Sequence, residues 1–131
     1  METIIQIPKL IWTGRKRPWE LVTPCVYYSS LLEAEIVVPA GYATDLASVP
    51  RIPFVYSRYG NTAVVPAIIH DWLYENTDHT YSRKQADQVF LEAMSIINDP
   101  PRATQRYAMY LGVRVGGGRA WRNYRKNRST Q

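Results

Sequence analysis

The sequence has little cysteine and no long apolar run, and each absence excludes a class of protein. Cys25 is the single cysteine among 131 residues, which excludes an intramolecular disulfide framework and a cysteine-based zinc site. No apolar stretch approaches the roughly 18 residues of a membrane span. The first residues, METIIQIP, lack a basic segment followed by an apolar core. We therefore expect neither a transmembrane segment nor a signal peptide.

Acidic residues are absent from the last quarter of the chain. No Asp or Glu follows Asp99, whereas eight of the 16 basic residues do, and the net charge is +5. Such a segment is typical of contact with phosphates, an acidic protein or an anionic membrane, and equally of a solvated tail that maintains solubility. We assign residues 1–118 to one globular domain and residues 119–131 to a basic C-terminal tail. The candidate partner or anion contacts in this tail are Arg119, Arg122, Arg125, Lys126 and Arg128.

The first half of the sequence has the pattern of short strands. Residues 10–12, 19–22, 25–28 and 33–38 are rich in β-branched and aromatic side chains, with glycine and proline between them. This predicts a small, mostly antiparallel sheet. A long irregular stretch follows at residues 38–51, and an ordered loop of this length is usually functional.

In the second half of the sequence, apolar residues recur at the spacing of α-helices. Residues 62–76 predict a first helix with Asn61 or Thr62 as N-cap and Pro66 near the first turn. Residues 83–97 predict a second, preceded by the capping-box residues Ser82 and Gln85. Residues 102–115 predict a third, which the glycines at 116–118 end. The expected fold is α+β: a small N-terminal antiparallel sheet and a long loop, followed by a bundle of about three helices.

One group of polar residues has the composition of a chemical centre. His70 and Tyr74 lie one turn apart on the first helix, and Asp87 lies on or beside the core-facing side of the second. An antiparallel helical hairpin would bring Asp87 to the imidazole, where a carboxylate fixes the tautomer and raises the basicity. The candidate catalytic residues are therefore His70, Asp87 and Tyr74. Asp71 and Asp45 are the candidate metal ligands, because carboxylate oxygens suit a hard cation.

The same residues also have structural explanations. A His-Asp pair on a helix is more often a satisfied core or interface pair than a catalytic one. Asp87 near a helix N-terminus is favoured by the macrodipole, and Asp45 after Thr44 could close an Asx-type turn. His79, in the loop between the first two helices, is expected to be exposed and without function.

Four motifs occur in an order that resembles a known family. VPAGYATDLASVPR at 38–51, HDWLY at 70–74, SRKQADQVFLEAM at 82–94 and VRVGG at 113–117 are similar to the phage and prophage family called domain of unknown function 1353. The resemblance runs from roughly Trp19 to Trp121. It implies a tailed-phage origin, with synthesis in the host cytoplasm and possible incorporation into the virion.

A second, local resemblance concerns mechanism. His70-Asp71-x-x-Tyr74 followed by Asp87 is similar to the helix pair of phospholipase A2 enzymes, including the disulfide-free viral ones. This resemblance implies that His70 is the general base, that Asp71 binds Ca²⁺, and that Tyr74 and Asp87 orient the imidazole. Those enzymes have a glycine-rich calcium loop, whereas this chain has only Gly41 in a loop with Asp45 and two prolines.

Three functions are compatible with these features. The first is a virion-associated tail or baseplate protein or morphogenesis component, in contact with other phage structural proteins, where the polar cluster is structural. Four tryptophans and ten tyrosines favour such contacts. The second is a small hydrolase acting on the host envelope through His-activated water, with Ca²⁺ as the one candidate ion. The third is a nucleic-acid-binding accessory protein that uses the terminal arginines with Trp121 and Tyr124.

Overall fold

Short strands precede helices along the chain, as the sequence predicted. The computed structural model describes residues 5–46, 53–76, 80–96 and 102–129. Within these ranges the strands are β1 (Ile5–Gln6), β2 (Leu10–Trp12), β3 (Trp19–Leu21), β4 (Cys25–Ser29), β5 (Ala34–Val38) and β6 (Ala43–Thr44). The helices are α1 (Pro53–Asn76), α2 (Arg83–Ile96), α3 (Ala103–Gly116) and α4 (Gly118–Ser129). The α+β prediction is therefore confirmed, with four helices where about three were expected.

The strands form two small antiparallel sheets in the orders β1-β4-β5 and β2-β3-β6. Alternate residues of β4 are buried, Cys25, Tyr27 and Ser29 among them, so one face of this hairpin covers the core. Strand β6 lies inside the stretch that was predicted to be irregular. It forms because Gly41, with a φ of +91°, turns the chain back so that the Leu21 amide donates to the Tyr42 carbonyl at 2.9 Å.

Helix α1 is longer than its sequence pattern suggested. It begins at Pro53 rather than at residue 62, so the expected N-cap at Asn61 or Thr62 and the first-turn position of Pro66 are both wrong. Proline suits the first position of a helix, whereas Pro66 lies in the helix interior, fully buried. Residues 66–70 are all buried, because α1 is covered on several sides by β4, β5, α2 and α4. Because burial is continuous at residues 66–70, this part of the sequence has no separate apolar stripe.

Helix α2 begins where its capping residues predicted. The Gln85 amide donates to the Ser82 hydroxyl at 3.1 Å, and the Ser82 amide donates to the Gln85 side-chain oxygen at 2.8 Å. These two bonds satisfy both members of the capping box. The buried face of α2 carries Asp87 together with apolar residues, namely Ala86, Val89, Phe90, Ala93 and Met94. It packs against α1 and α3.

The segment that was predicted to be a basic tail contains helix α4. After the break at Gly117, α4 packs on α1, with Ala120, Trp121 and Tyr124 against the core. Because these residues are spaced i, i+1, i+4, the highly charged helix α4 has one apolar side. This side is sufficient for α4 to pack against α1. No helix within the described parts of the chain is both long and apolar enough to cross a bilayer.

Hydrogen bonds to Glu92 connect α2 to the β4–β5 hairpin. Its carboxylate accepts hydrogen bonds from the Tyr27 hydroxyl, from the Ser29 hydroxyl at 2.8 Å and from the Leu31 amide at 2.9 Å. The Ser29 hydroxyl in turn accepts from the Leu32 amide at 3.1 Å. One side chain therefore fixes both the end of β4 and the turn that follows it.

We expect Glu92→Ala to lower the free energy of unfolding by about 2 kcal/mol, because three donors lose a charged acceptor. The measurement is urea denaturation followed by circular dichroism. Glu35→Ala, which removes an exposed carboxylate from β5, is the matched control and should change stability by less than about 0.5 kcal/mol. Equal effects of the two substitutions would contradict this role of Glu92.

Candidate functional site

Helices α1 and α2 bring His70 and Asp87 into direct contact. His70 Nε2 lies 2.7 Å from Asp87 Oδ1, and the Tyr74 hydroxyl donates to the same oxygen at 2.6 Å. Both partners are nearly inaccessible, since His70 is 2% exposed and Asp87 0%. The imidazole also lies between two rings, with centroid distances of 4.3 Å to Tyr74 and 4.9 Å to Phe90. The predicted candidate catalytic residues therefore share one buried niche.

The second oxygen of Asp87 is held by arginine. Arg114 Nη1 on α3 donates to Asp87 Oδ2 at 2.8 Å, and Arg83 Nη1 on α2 lies 3.7 Å from the same oxygen. Arg83 also donates to the carbonyls of Val113 and Arg114, at 3.2 and 3.1 Å. Both carboxylate oxygens thus have strong partners, as a buried charge requires.

The two arginines were not among the residues predicted for the site. A signal for Arg83 existed, since it lies four residues before Asp87 on one helix face. For Arg114 the only signal was its place within the VRVGG motif at 113–117. Nothing in local spacing indicates that α3 returns to α2 at that point.

The charges of this niche stabilise one another. Burial disfavours the imidazolium, but the carboxylates of Asp71 and Asp87 outweigh this effect and raise the pKa of His70 above its usual value. Burial likewise disfavours the Asp87 carboxylate, yet hydrogen bonds from His70 and Tyr74 and the nearby positive charge lower its pKa. Because Asp87 is ionised, it accepts from His70, and the proton between them belongs to Nε2.

Asp71 faces the other side of His70. Its Oδ1 lies 3.8 Å from His70 Nδ1, and its Oδ2 accepts from the buried Thr44 hydroxyl at 2.6 Å. The Thr44 hydroxyl accepts from the Leu46 amide at 3.0 Å. Leu46 has a φ of 57°, which is uncommon for a branched side chain, and it packs against both core clusters. These contacts fix the Asp71 carboxylate to the end of β6, directly before Asp45 in the chain.

A cavity of about 360 Å³ opens beside the imidazole. Its α1 wall consists of His70, Asp71, Tyr74 and Glu75, and Asp45 and Thr44 lie next to them. The opposite wall is α3, which contributes small or apolar residues: Ala108, Met109, Gly112, Val113, Gly116 and Gly117. The cavity is therefore polar on one side and apolar on the other, and its volume suits a small organic group.

Glu75 and Arg17 form the rim of this cavity. Glu75 accepts hydrogen bonds from Arg17 and from the Tyr42 hydroxyl, and Arg17 Nη2 donates to the Tyr124 hydroxyl at 3.3 Å. These contacts join the segment before β3, α1 and α4. The rim is consequently fixed by tertiary contacts and was not predicted from the sequence.

The predicted metal ligands line the cavity, but the set is small. Among residues 5–46, 53–76, 80–96 and 102–129, no three side chains of His, Cys, Asp or Glu are arranged to hold a metal ion together. Ca²⁺ prefers six to eight oxygen ligands. Asp45 and Asp71 alone do not supply this set, and the loop residues at 47–52 lie outside the described residues. The Ca²⁺ site stays a prediction.

The predicted contacts of the C-terminal segment divide into two groups. Arg125 is used within the protein: its Nη1 donates to the Tyr74 carbonyl at 2.6 Å, and its guanidinium lies 3.5 Å from the Trp121 ring centroid. Arg119 and Arg122 are exposed. The side chains of Lys126 and Arg128, and all of His79, lie outside the described residues. Trp121 and Tyr124 are partly buried and pack against the core, and nucleic-acid binding through them stays a prediction.

Residues 19–113 match the family described as protein of unknown function, DUF1353. The chain belongs to the DUF1353 family. No curated protein and no solved structure is detectably similar to it. The matched DUF1353 region contains His70, Tyr74, Arg83 and Asp87, and it ends one residue before Arg114.

We expect the protein to lose stability as the pH rises, because of His70. Its raised folded-state pKa lies above the unfolded value of about 6.5, so the folded protein keeps a proton that the unfolded chain releases. The stabilisation is complete below about pH 6.5 and disappears as the pH rises through the folded-state pKa. Urea denaturation of the wild type and of His70→Gln, from roughly pH 5 to 10, measures this contribution.

The difference in unfolding free energy between the two proteins should shrink towards high pH. His79 is present in both proteins, so its titration cancels in the difference. A difference that stays constant or grows with pH would show that His70 is not held as an imidazolium.

Proposed function

We propose that this DUF1353 protein is a small hydrolase in which His70, oriented by Asp87, activates water against an ester or a related bond. The observation that carries the proposal is the position of the His70–Asp87 pair, with its Tyr74 hydrogen bond, on the wall of the 360 Å³ cavity. A buried dyad that borders a cavity of mixed polarity is the arrangement expected of a general base and its orienting carboxylate.

The direction of proton transfer follows from the hydrogen bonds. The Nε2 proton is donated to Asp87, so the neutral ring acts through Nδ1. Nδ1 takes a proton from water as the oxygen attacks the acyl carbon, and the resulting imidazolium lies between Asp87 and Asp71. The same proton then passes to the leaving alcohol, which restores the neutral ring. One water and one ester give one acid and one alcohol.

The raised pKa of His70 influences the rate. The ring must be neutral to accept a proton, so turnover should increase with pH through a pKa above the ordinary 6.5. The apolar α3 wall would take the apolar part of the substrate, and Asp45 and Asp71 would face its polar part.

We expect His70→Gln to reduce turnover roughly 100-fold or more while the protein remains folded at pH 8. The assay uses p-nitrophenyl esters of increasing acyl length and phosphatidylcholine vesicles, each with added Ca²⁺ or with EDTA. His79→Gln is the matched control and should retain wild-type rates. The proposal fails if the wild type hydrolyses none of these esters, or if His70→Gln hydrolyses them as fast as the wild type.

A second candidate is a virion-associated or morphogenesis component, made in the host cytoplasm and carried into a phage particle. The observation that favours it is a row of exposed apolar residues on α3. Tyr107, Leu111 and Val115 are spaced by four residues and are 56%, 58% and 87% exposed, and such rows mark contact surfaces. In this role the contacts of Asp87 with His70, Tyr74 and Arg114 would stabilise the fold and have no catalytic function.

For this candidate we expect Leu111→Ser with Val115→Ser to prevent incorporation into particles without unfolding the protein. The readout is the amount of the protein in purified particles. Leu31→Ser, at an exposed site far along the chain from α3, is the control and should be incorporated normally. Normal incorporation of the α3 double variant would remove the support for this role.

A further inference from the structure

We propose that the C-terminal end of α3 is the positioning element of the His70–Asp87 pair, with Arg114 and Gly117 as its two positioning residues. Arg114 holds the Asp87 carboxylate, and Gly117 leaves the space that the Tyr74 hydroxyl occupies. The catalytic meaning of this inference rests on the proposed hydrolase function, whereas the positioning itself rests on geometry alone.

Arg114 fixes the orientation of the Asp87 carboxylate. The terminal torsion of an aspartate side chain is soft, so the burial of Asp87 does not by itself fix the plane of its carboxylate. Arg114 Nη1 holds Oδ2 at 2.8 Å, which leaves Oδ1 to accept from His70 and Tyr74. A charged hydrogen bond of this length is strong and directional. It therefore fixes the carboxylate plane and the imidazole that bonds to it.

Gly117 leaves no space for a side chain next to Tyr74. A Cβ atom added there would lie 2.5 Å from the Tyr74 hydroxyl oxygen and 2.5 Å from the Val113 carbonyl oxygen. Its φ of −83° is open to any residue, so glycine is required for close approach and not for conformation. A side chain there would therefore displace the Tyr74 hydroxyl, the last turn of α3, or both. The neighbouring Gly118 differs, since an added Cβ there would lie 3.2 Å from the end of the flexible Arg122 side chain and in ordinary contact, at 3.9 Å, with Arg83 Cζ.

The end of α3 is attached to α2 through Arg83. Arg83 on α2 donates to the carbonyls of Val113 and Arg114 in the last turn of α3. The Gly117 amide donates to the Val113 carbonyl at 2.9 Å, which closes the last turn. The end of α3 is thereby fixed to the helix that carries Asp87. Arg114 and Gly117 consequently move with the carboxylate that they position.

The test follows the imidazole directly, by NMR of protein with ¹⁵N-labelled histidine. Because the chain has two histidines, His79→Gln serves as the background and leaves His70 as the only labelled ring. In this background the His70 Nε2 proton should give a slowly exchanging signal. We expect Arg114→Gln to speed its exchange with water at least about 10-fold and to lower ester turnover by about 10- to 100-fold.

Two further variants separate positioning from general destabilisation. Arg114→Lys keeps one charged donor and should restore part of the slow exchange and part of the turnover. Gly117→Ala should shift the His70 signal and lower turnover, whereas Gly118→Ala should leave both unchanged. Arg102→Gln, which removes an exposed arginine just before α3, should also leave both unchanged.

The outcomes distinguish this inference from the hydrolase proposal. If the His70 signal changes in Arg114→Gln and in Gly117→Ala but the wild type hydrolyses no ester, the positioning role is supported and the proposed hydrolase reaction is excluded. An unchanged signal in both variants overturns the positioning role, whatever the turnover. If Arg114→Gln does not fold, then Arg114→Lys and Gly117→Ala decide by the same signal.

Discussion

A single buried carboxylate organises the helical half of this protein. Asp87 has no exposed surface, and an isolated charge in such a place would cost several kcal/mol. Its partners come from three helices: His70 and Tyr74 from α1, Arg83 from its own α2, and Arg114 from α3. The cost of burying the charge is offset only when all three helices are in place. Docking of the three helices therefore brings all these partners of Asp87 together.

The sheets and α4 complete the surroundings of this cluster. Thr44, at the end of β6, holds Asp71 next to His70, and Arg125 on α4 binds the carbonyl of Tyr74. Trp121 packs edge-on against the Tyr74 ring, with centroids 5.2 Å apart. Each contact restricts a residue of the cavity wall from outside. The result is a polar wall in which few side chains can move independently, which is the condition for a defined proton-transfer geometry.

The two proposed roles make different demands on the same cluster. A structural role requires only that Asp87 be satisfied, and replacement of the whole cluster by apolar residues would then be tolerated. A catalytic role requires that the imidazole border the cavity in one tautomer. The contact between Gly117 and Tyr74 is more restrictive than charge compensation needs, because a slightly displaced tyrosine would still leave Asp87 with His70 and Arg114. This restriction agrees with the catalytic role, which rests on the position of the His70–Asp87 pair on the cavity wall.

The sequence alone determined the features that depend on neighbouring residues. The capping box of Ser82 and Gln85 follows from a spacing of three residues, where local geometry leaves few choices. The approach of His70 to Asp87 could be predicted because two consecutive helices joined by a short loop usually form an antiparallel hairpin. Tertiary structure decided the rest. The start of α1 at Pro53 could not be read, since Gly60, Asn61 and Thr62 have the composition of a helix boundary although they lie inside the helix. Arg114 reaches Asp87 from 27 residues away. That contact depends on how α3 packs against α2, and packing is decided by the whole core rather than by any short segment of the chain.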